Sequence, residues 1–481
     1  MLSVFVCPEA FCSLWIPLVH RFALYTAYHG ERKRYRGYEM AKVSIIGGGL
    51  AGCDCAWQLA EAGVSVELYE MKPGKHSEAH TEDGLAELVC SNSFRATGAA
   101  AAIGLLKEEM VALGSLIMEA AFETQVPAGG ALAVDRALFS EYITGKIDNH
   151  HNITVHRKEI TSLDAEELQG CDGVIIAAGP LASPELTESL ITTVGDERLY
   201  FYDAIAPIVS RDSIDFDKAF WGSRWKPEDD DYLNCPMNEE EYKAFVAELV
   251  AGEKVQPREF EKEIHFEGCL PVEAMAERGE MTLAFGPLKP VGLEDPKTGE
   301  RPFAVIQLRT ENKNKTAFNL VGFQTKLKYP EQKRIFRMIP GLENAEFMRL
   351  GSIHRNTYVN APEVLDESLQ LKTKPGFYLV GQLTGVEGYL ESAACGLWVG
   401  LSLAKRFSDE VVVEPPVETA LGALLGHLRT KPDKRFQPSN VNFGLMPGLN
   451  RKMKKKFRKE AYGIRAQEAF ATWLEKMKIG G

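Results

Sequence analysis

The chain has no CxxC pair and no His/Cys grouping at metal-ligand spacing. Its nine cysteines stand apart, as Cys7, Cys12, Cys53, Cys55, Cys90, Cys171, Cys235, Cys269 and Cys395. That excludes a zinc ribbon and a dense disulfide framework, so no metal is expected, and it predicts a reduced, cytoplasmic compartment. No run of roughly 20 uninterrupted apolar residues occurs, which excludes an ordinary spanning helix. Internal repeats and low-complexity tracts are absent too. Positive charge is short overall: the net charge is −12, which tells against a surface basic all over.

What is present is a soluble globular composition, 45% hydrophobic and 25% charged, over 481 residues, enough for two or at most three domains. The charge is unevenly spread. From Leu421 onward, 14 Lys and Arg stand against 4 Asp and Glu, so a basic tail follows an acidic body. Such a tail can grip phosphates locally, or simply be a solvated helix face. At the other end, "FVCPEAFCSLWIPLVHRFALY" is apolar but broken by Pro8 and Pro17, and the basic "RKRYR" follows it instead of preceding it, as a signal peptide would require. Met40 then opens "MAKVSIIGGG". Residues 1–39 are expected to be a disordered extension or the product of a start codon placed too early.

"KVSIIGGGLAG" is a β-branched run that ends in glycines, and "AGCDCAWQLAEAG" has helical spacing, with Ala51, Ala56, Leu59 and Ala60 on one side and Gly63 as the stop. "VSVELYE" is a second strand. This βαβ unit opens a doubly wound α/β sheet. "CDGVIIAAGP" and "GFYLVGQLTGVEGYLESAACGLWVG" repeat the strand-then-glycine signal late in the chain. Between about Asp203 and Arg349 the texture changes to acidic "PEDDD", alternating "FAVIQLR" and proline turns. The expected organisation is a Rossmann-like domain from residues 40–203 and 349–481, with an α+β domain, 204–348, inserted into it.

Gly47-x-Gly49-x-x-Gly52 sits between strand and helix, where glycines permit the tight turn and bring backbone close to a pyrophosphate at the helix N-terminus. Gly48, Leu50 and Ala51 complete that cradle. Glu70 ends the second strand about 20 residues on, where a carboxylate bonds ribose hydroxyls. A dinucleotide site follows, with FAD and NAD both open at this point. "DGVIIAAG" and "GFYLVGQ" resemble two further segments of two-dinucleotide-type flavoproteins. The likeness implies FAD, with Gly179 near it, Gly381 and Gln382 near its flavin end, and Gly388 starting a helix aimed at the ring.

Most of the cysteines read as small buried hydrophobes: Cys53 and Cys55 on the first helix, Cys171 at a core strand, Cys395 on the late Ala-rich helix. Cys235 marks a Cys-Pro corner among acids, which disfavour a thiolate. Two differ. Cys90, in "AELVCSNSFRA", belongs to neither a strand nor a helix pattern, and Cys269, in "HFEGCLPVEAMAERG", marks a strand-to-helix corner where a helix N-terminus can lower a thiol pKa. At the basic end, Lys452, Lys455, Lys456 and Lys459 recur at helical spacing beside Arg451 and Arg458, a face suited to an RNA backbone.

Taken together, "IIGGGLAG", "LYEMKP", "AELVCSNSFR", "FEGCLPVE", "GSIHRNTYVNAP", "GQLTGVEGYLESAACG" and "FQPSNVNFGL" resemble the folate- and FAD-dependent tRNA (uracil-5-)-methyltransferases, TrmFO, over nearly everything from Met40 on. Residues 1–39 have no counterpart there. The resemblance implies bound FAD, reduction by NAD(P)H, 5,10-methylenetetrahydrofolate as one-carbon donor, a T-loop uridine of tRNA as acceptor, and no obligate protein partner. It maps the two family cysteines onto Cys90 and Cys269. Uracil C5 becomes nucleophilic only after a thiolate adds at C6, and a second group must then take the C5 proton. Cys269 is assigned the first task. Cys90 is left between general base and partner of the one-carbon unit. Lys289, His354 and Arg355 are candidates for the folate.

Three alternatives remain in view. The related MnmG (GidA) flavoproteins modify wobble uridines and carry a further C-terminal domain. A flavin oxidoreductase acting on a small molecule would have no use for the basic tail. An RNA-binding module with a vestigial FAD site would not be expected to keep Gly47, Gly49, Gly52, Glu70, Cys90 and Cys269 intact.

Overall fold

The computed structural model describes residues 41–195, 199–226, 229–255, 270–431, 436–449 and 453–479. Cys269, Arg451, Lys452 and residues 1–39 lie outside the described residues.

The central sheet is five-stranded and parallel throughout, in the order β16 (Phe377–Leu379), β7 (Gly173–Ile176), β1 (Lys42–Ile46), β2 (Ser65–Tyr69), β6 (Ile153–His156). Its strands are short, apolar and β-branched because both faces are covered. Ile46, at the C-terminal end of β1, pairs with Tyr69 and Ile176, so β1, β2 and β7 end at one edge. Ligands bind there in open α/β sheets.

Two helices lie face to face behind that edge: α1 (Leu50–Glu61) and a long helix, Tyr389–Phe407. Their backbones nearly touch. A Cβ built on Gly396 would lie 2.0 Å from the Ala51 carbonyl oxygen, and one on Gly400 2.8 Å from that of Cys55. The small residues that made "ESAACGLWVG" look merely helical are what allow this crossing.

Ala102–Ala112 forms α2, which packs beneath the same layer. The hydrophobic core here draws on residues 43–194 and 358–477. A second core, from residues 206–345, belongs to a six-stranded antiparallel sheet: β10 (Phe220–Trp221), β11 (Tyr232–Met237), β12 (Ala304–Thr310), β13 (Ala317–Leu320), β9 (Ile208–Ser210), β14 (Phe347–Arg349). Helix α3 (Glu239–Ala251) opens with a full capping box between Asn238 and Glu241, worth roughly 1 kcal/mol, and buries Tyr242, Phe245 and Leu249 in that core. The chain enters and leaves this part through one antiparallel ribbon, β8 (Leu199–Ala204) with β15 (Ile353–Tyr358).

Two local expectations are corrected. "AELVCSNSFRA" is not wholly irregular: Ser93–Ala96 is a strand, β3, in a small sheet with β5 (Ala131–Val134) and β4 (Gln125–Val126). Its register shifts between Ser93 and Ala96, and Arg95 takes a left-handed φ of +65°, so no two-residue alternation was there to read. Cys235-Pro236 is not a corner either, since both residues lie within β11. The neighbouring β10 pairs only with Leu233 and Asn234, so Pro236 falls on an open edge, where its missing N–H costs no ladder bond.

The later helices of the first part are α4 (Tyr389–Phe407), α5 (Ala420–Arg429) and α6 (Lys455–Ile479). Buried Ala466, Phe470, Trp473 and Met477 anchor α6, and Trp473 Nε1 donates to the Val413 carbonyl at 2.9 Å.

Candidate active site

A cleft of about 1120 Å³ opens at the C-terminal edge of the parallel sheet. Gly47, Gly48, Gly49, Leu50, Ala51, Glu70, Gly179, Gly381 and Gln382 all line it. Gly47 has φ +106°, and a Cβ there would lie 2.6 Å from the Ala177 carbonyl oxygen, so only glycine passes between β1 and β7. Gly49 has nothing within 4 Å of an added Cβ and leaves the backbone bare toward the cleft. The first turn of α1 carries no acid and no side-chain cap, so its amides are available to an anion. Gly52 does not line the cleft. It lies behind the loop, where a Cβ would sit 1.9 Å from the Gly47 carbonyl oxygen, so its part is helix–strand packing, not ligand contact.

Glu70 is buried and shapes the loop: its Oε2 accepts from the Gly48 N–H at 2.9 Å and its Oε1 from the Lys72 N–H at 3.0 Å. Lys72 is buried too, donates to the Gly84 carbonyl at 2.6 Å, and pairs with Glu87 at 3.4 Å. These residues fit a dinucleotide: a bare glycine loop and a helix N-terminus for the pyrophosphate, with a carboxylate at the ribose position.

A second cavity of about 1380 Å³ shares Val89, Pro180, Leu181, Gln382 and Tyr389 with the cleft. The first domain contributes Cys90, Ser91, Arg95, Glu387 and Gly388 to its wall. The inserted sheet contributes Arg309 and Asn319, and the ribbon Asp203, His354 and Asn356. Gly388, with φ +113°, is the N-cap of α4 and faces this cavity, not the cleft.

The Cys90 loop is held from three sides. Tyr389 Oη accepts from the N–H groups of Cys90 at 2.7 Å and Ser91 at 3.1 Å. Arg136, paired with Glu311, donates to the carbonyls of Leu88 at 2.5 Å and Cys90 at 3.1 Å. From the inserted sheet, Arg309 donates to Ser91 Oγ at 2.8 Å and Asn92 Oδ1 at 2.9 Å. The Cys90 Sγ lies 3.8 Å from the Ala204 carbonyl, and burial, reinforced by Asp203 and opposed by Arg136, pushes its thiol far above the ordinary range. It is therefore protonated at neutral pH in this state.

Cys269 lies just before the described segment that begins at Leu270. Leu270 is buried, and the Val272 N–H donates at 2.7 Å to the carbonyl of Gln324, itself on the second cavity's wall. His354 lines the cavity, bonded to Ser352 Oγ at 2.8 Å, with burial lowering its pKa. Arg355 lies on β15. Lys289 is exposed and lines neither cavity. Cys53, Cys55 and Cys395 are fully buried. Sequence reasoning missed Arg136, Arg309, Tyr389 and Glu387. The only hint was for the last two, which flank Gly388 in "GVEGYLES".

At the basic end, Lys455, Lys456, Arg458 and Lys459 are all exposed on the first turns of α6. Cations there oppose the helix dipole, with only local contacts in return: Arg458 Nε donates to the Met453 carbonyl at 3.1 Å and Lys456 lies over the Phe457 ring. The loop before α6 links them to the cavity: Asn440 lines the cavity wall, and Phe443 stacks on Tyr462 of α6 at 5.2 Å. Among the described residues no helix is long and apolar enough to cross a membrane, and no acid, His and Cys grouping is able to hold a metal.

Comparison with known proteins agrees with this picture. A family model described as glucose inhibited division protein A matches residues 42–410. The methylenetetrahydrofolate–tRNA-(uracil-5-)-methyltransferase TrmFO of Oleidesulfovibrio alaskensis is 63% identical over 434 residues, covering 90% of this chain and 97% of that protein. The enzyme of the same name from Nitratidesulfovibrio vulgaris strain DP4 is 61% identical over 438 residues, covering 91% and 90%. Among solved structures, Aquifex aeolicus GidA in its form II crystal superposes with a TM-score of 0.62 at 16% identity, covering 92% of this chain and 74% of that one, a likeness of fold alone.

Proposed function

Since the chain belongs to the GidA group of flavoproteins, and within it to the TrmFO family of tRNA (uracil-5-)-methyltransferases, we propose that it methylates C5 of a T-loop uridine in tRNA. Methylenetetrahydrofolate is the carbon donor and NAD(P)H the reductant. The observation that carries this reading is the junction of the two cavities at Gln382 and Tyr389, which brings whatever end of a dinucleotide reaches that point up to Cys90.

FAD, held by Gly47 to Ala51, Glu70, Gly179, Gly381 and Gln382, supplies the redox and one-carbon transfer chemistry when bound. The chain's own residues do the rest. The cavity between the parallel and inserted sheets gives the reacting base a place beside Cys90. Arg136 and Tyr389 hold the backbone of the Cys90 loop and Arg309 holds its Ser91 and Asn92 side chains, so the thiol is delivered in one position. Cys269 is proposed to add to uracil C6, making an enolate at C5. Cys90 is proposed as the second thiol at the flavin end, either as base or as partner of the one-carbon unit; its protonated resting state favours the latter. The cations of α6, with Arg451 and Lys452, are proposed to hold the tRNA backbone.

The experiment feeds labelled methylenetetrahydrofolate, NADPH and unmodified tRNA to the purified protein, then maps the label. Label in T-loop uridine is expected. Flavin-bound protein that leaves that uridine unlabelled would defeat the reading. For the cysteines, a Cys269→Ala variant should fail to form a covalent complex with 5-fluorouridine-containing tRNA, and a variant that still crosslinked would remove Cys269 from its role.

A further inference from the structure

Glu387 stands one residue before the Gly388 turn, on the wall of the second cavity, and is 4% exposed. Its Oε2 accepts from Gln382 Nε2 at 2.9 Å, and its main-chain carbonyl accepts from Asn440 Nδ2 at 2.6 Å. Gln382 lines both cavities, so the carboxyl is held at their junction. Among the described residues no lysine or arginine forms a salt bridge to it. Arg95, on the same cavity wall, is bound to Glu391.

A buried carboxyl without a cationic partner favours its neutral form. The groups facing it are Cys90 from the loop, Arg95 from β3, Asp203 from β8, His354 from β15, Arg309 from β12, and Tyr389 and Glu391 from α4. Burial first, then the charge of Asp203, pushes Glu387 up to about 8 against the opposing effects of Gln382 and Arg95. It therefore carries a proton at neutral pH. The same cavity presents a buried polar atom without a hydrogen-bond partner, Asn319 Nδ2, together with His354, whose Nδ1 makes no hydrogen bond and lies 3.8 Å from Glu78 Oε2, as expected of a site built for a hydrogen-bonding heterocycle.

The reaction has two proton requirements that the cysteines do not meet in this state. The methylene carbon of the donor is bonded to two nitrogens and is released only when both C–N bonds break, and an amine leaves well only with a proton. Uracil C5 must later lose one. Cys90, protonated at rest, is poorly placed to accept it.

We propose that Glu387 is the proton carrier of this cavity, giving its proton to the first folate nitrogen to leave and recovering one from uracil C5. In the first transfer the electron pair of the first C–N bond to break stays on its nitrogen, which takes the carboxyl proton; the second C–N bond breaks as the carbon passes to its acceptor, its electron pair also stays on nitrogen, and that nitrogen takes a proton from water. In the second, the C5–H electron pair returns to the ring as the proton moves to the carboxylate. Nothing is oxidised or reduced in either step, and the acid is restored each turnover. The assignment rests on the uridine-methylating reading above.

The test uses flavin-loaded full-length protein with Glu387→Gln and Glu387→Asp, the first of which keeps an oxygen to accept from Gln382. Methyl transfer from labelled folate and tritium release from tRNA carrying 5-tritiated uridine are followed against pH. The Gln variant should lose about 100- to 10,000-fold in both, with flavin content and tRNA affinity within twofold of wild type. A group that must be protonated to act loses activity as pH rises through its pKa. The wild-type rate should therefore fall above about 8, and the residual Gln rate should not. Asp should recover at least tenfold over Gln and keep an alkaline limb. A Gln variant within threefold of wild type, or one that keeps the wild-type alkaline limb, overturns the proposal while leaving the methylation reading intact. Equal losses in Asp and Gln, with flavin gone from both, assign Glu387 to structure and also overturn it. If wild type labels no uridine, the methylation reading itself fails.

Discussion

Replacing Glu70 by Gln tests the cofactor cradle more sharply than any glycine change, because it alters charge and hydrogen-bond polarity at constant size. The carboxylate accepts two backbone N–H groups, from Gly48 at 2.9 Å and Lys72 at 3.0 Å. A Gln side chain turns one oxygen into an NH₂, so whichever way it lies, one backbone donor faces another donor. One of two charge-assisted bonds is lost, at about 1.5–3 kcal/mol, and the Gly48 amide or the Lys72 amide must move. The Gly48 carbonyl also accepts from the Ala86 N–H at 2.9 Å, so a shift at Gly48 pulls on the loop that leads to Cys90. If that energy is expressed in cofactor binding, the dissociation constant for FAD rises about 10- to 150-fold. The assay is fluorescence titration of apoprotein with FAD, with circular dichroism to show that the fold is kept. An E70Q protein that binds FAD within threefold of wild type would refute the claim that these two bonds set the cradle.

Two further outcomes are expected. Tyr389→Phe removes the shared acceptor of the Cys90 and Ser91 amides, leaving two half-buried donors unpaired; it should lower stability by about 1–3 kcal/mol in urea unfolding and slow methyl transfer, and an unchanged midpoint would show that water replaces the hydroxyl. Replacing Lys455, Lys456 and Lys459 together by Ala should weaken tRNA binding uniformly and flatten the slope of log affinity against log salt by up to about 3, without touching flavin content. A slope equal to wild type would take the α6 cations out of the RNA interface.

Much of the first domain was readable because its signals are local. Strand β1, the glycine turn, α1 and β2 occupy one continuous stretch, and the periodicity changes where the structure changes. The acid Glu70 was found by spacing alone. The basic face of α6 was equally local, since i, i+4 spacing needs no knowledge of the rest of the chain. What could not be read is the machinery around Cys90. Tyr389 lies 299 residues from the amide it receives, and Arg309 lies 218 from the Ser91 hydroxyl it holds. Neither has a composition or period that marks it: Arg309 arrives on the inserted sheet, and Tyr389 after the chain returns through the β8–β15 ribbon. Glu387 was hidden for a different reason: its neutral form is a property of burial, and a lone Glu beside glycines in sequence looks like surface.

The near-contact of α1 with α4 has one more consequence. Each helix carries its N-terminal end toward the ligand, α1 to the glycine loop and α4, through Gly388, to the thiol cavity. With Gly396 against the Ala51 carbonyl and Gly400 against that of Cys55, neither helix slides or tilts without a backbone collision. The two ends are thus the jaws of a fixed caliper. A ligand that engages both must reach from one jaw to the other, whereas a mononucleotide at the glycine loop would stop short of Cys90. Length selection is accordingly set well away from the ligand, by two missing methyl groups in the middle of a helix.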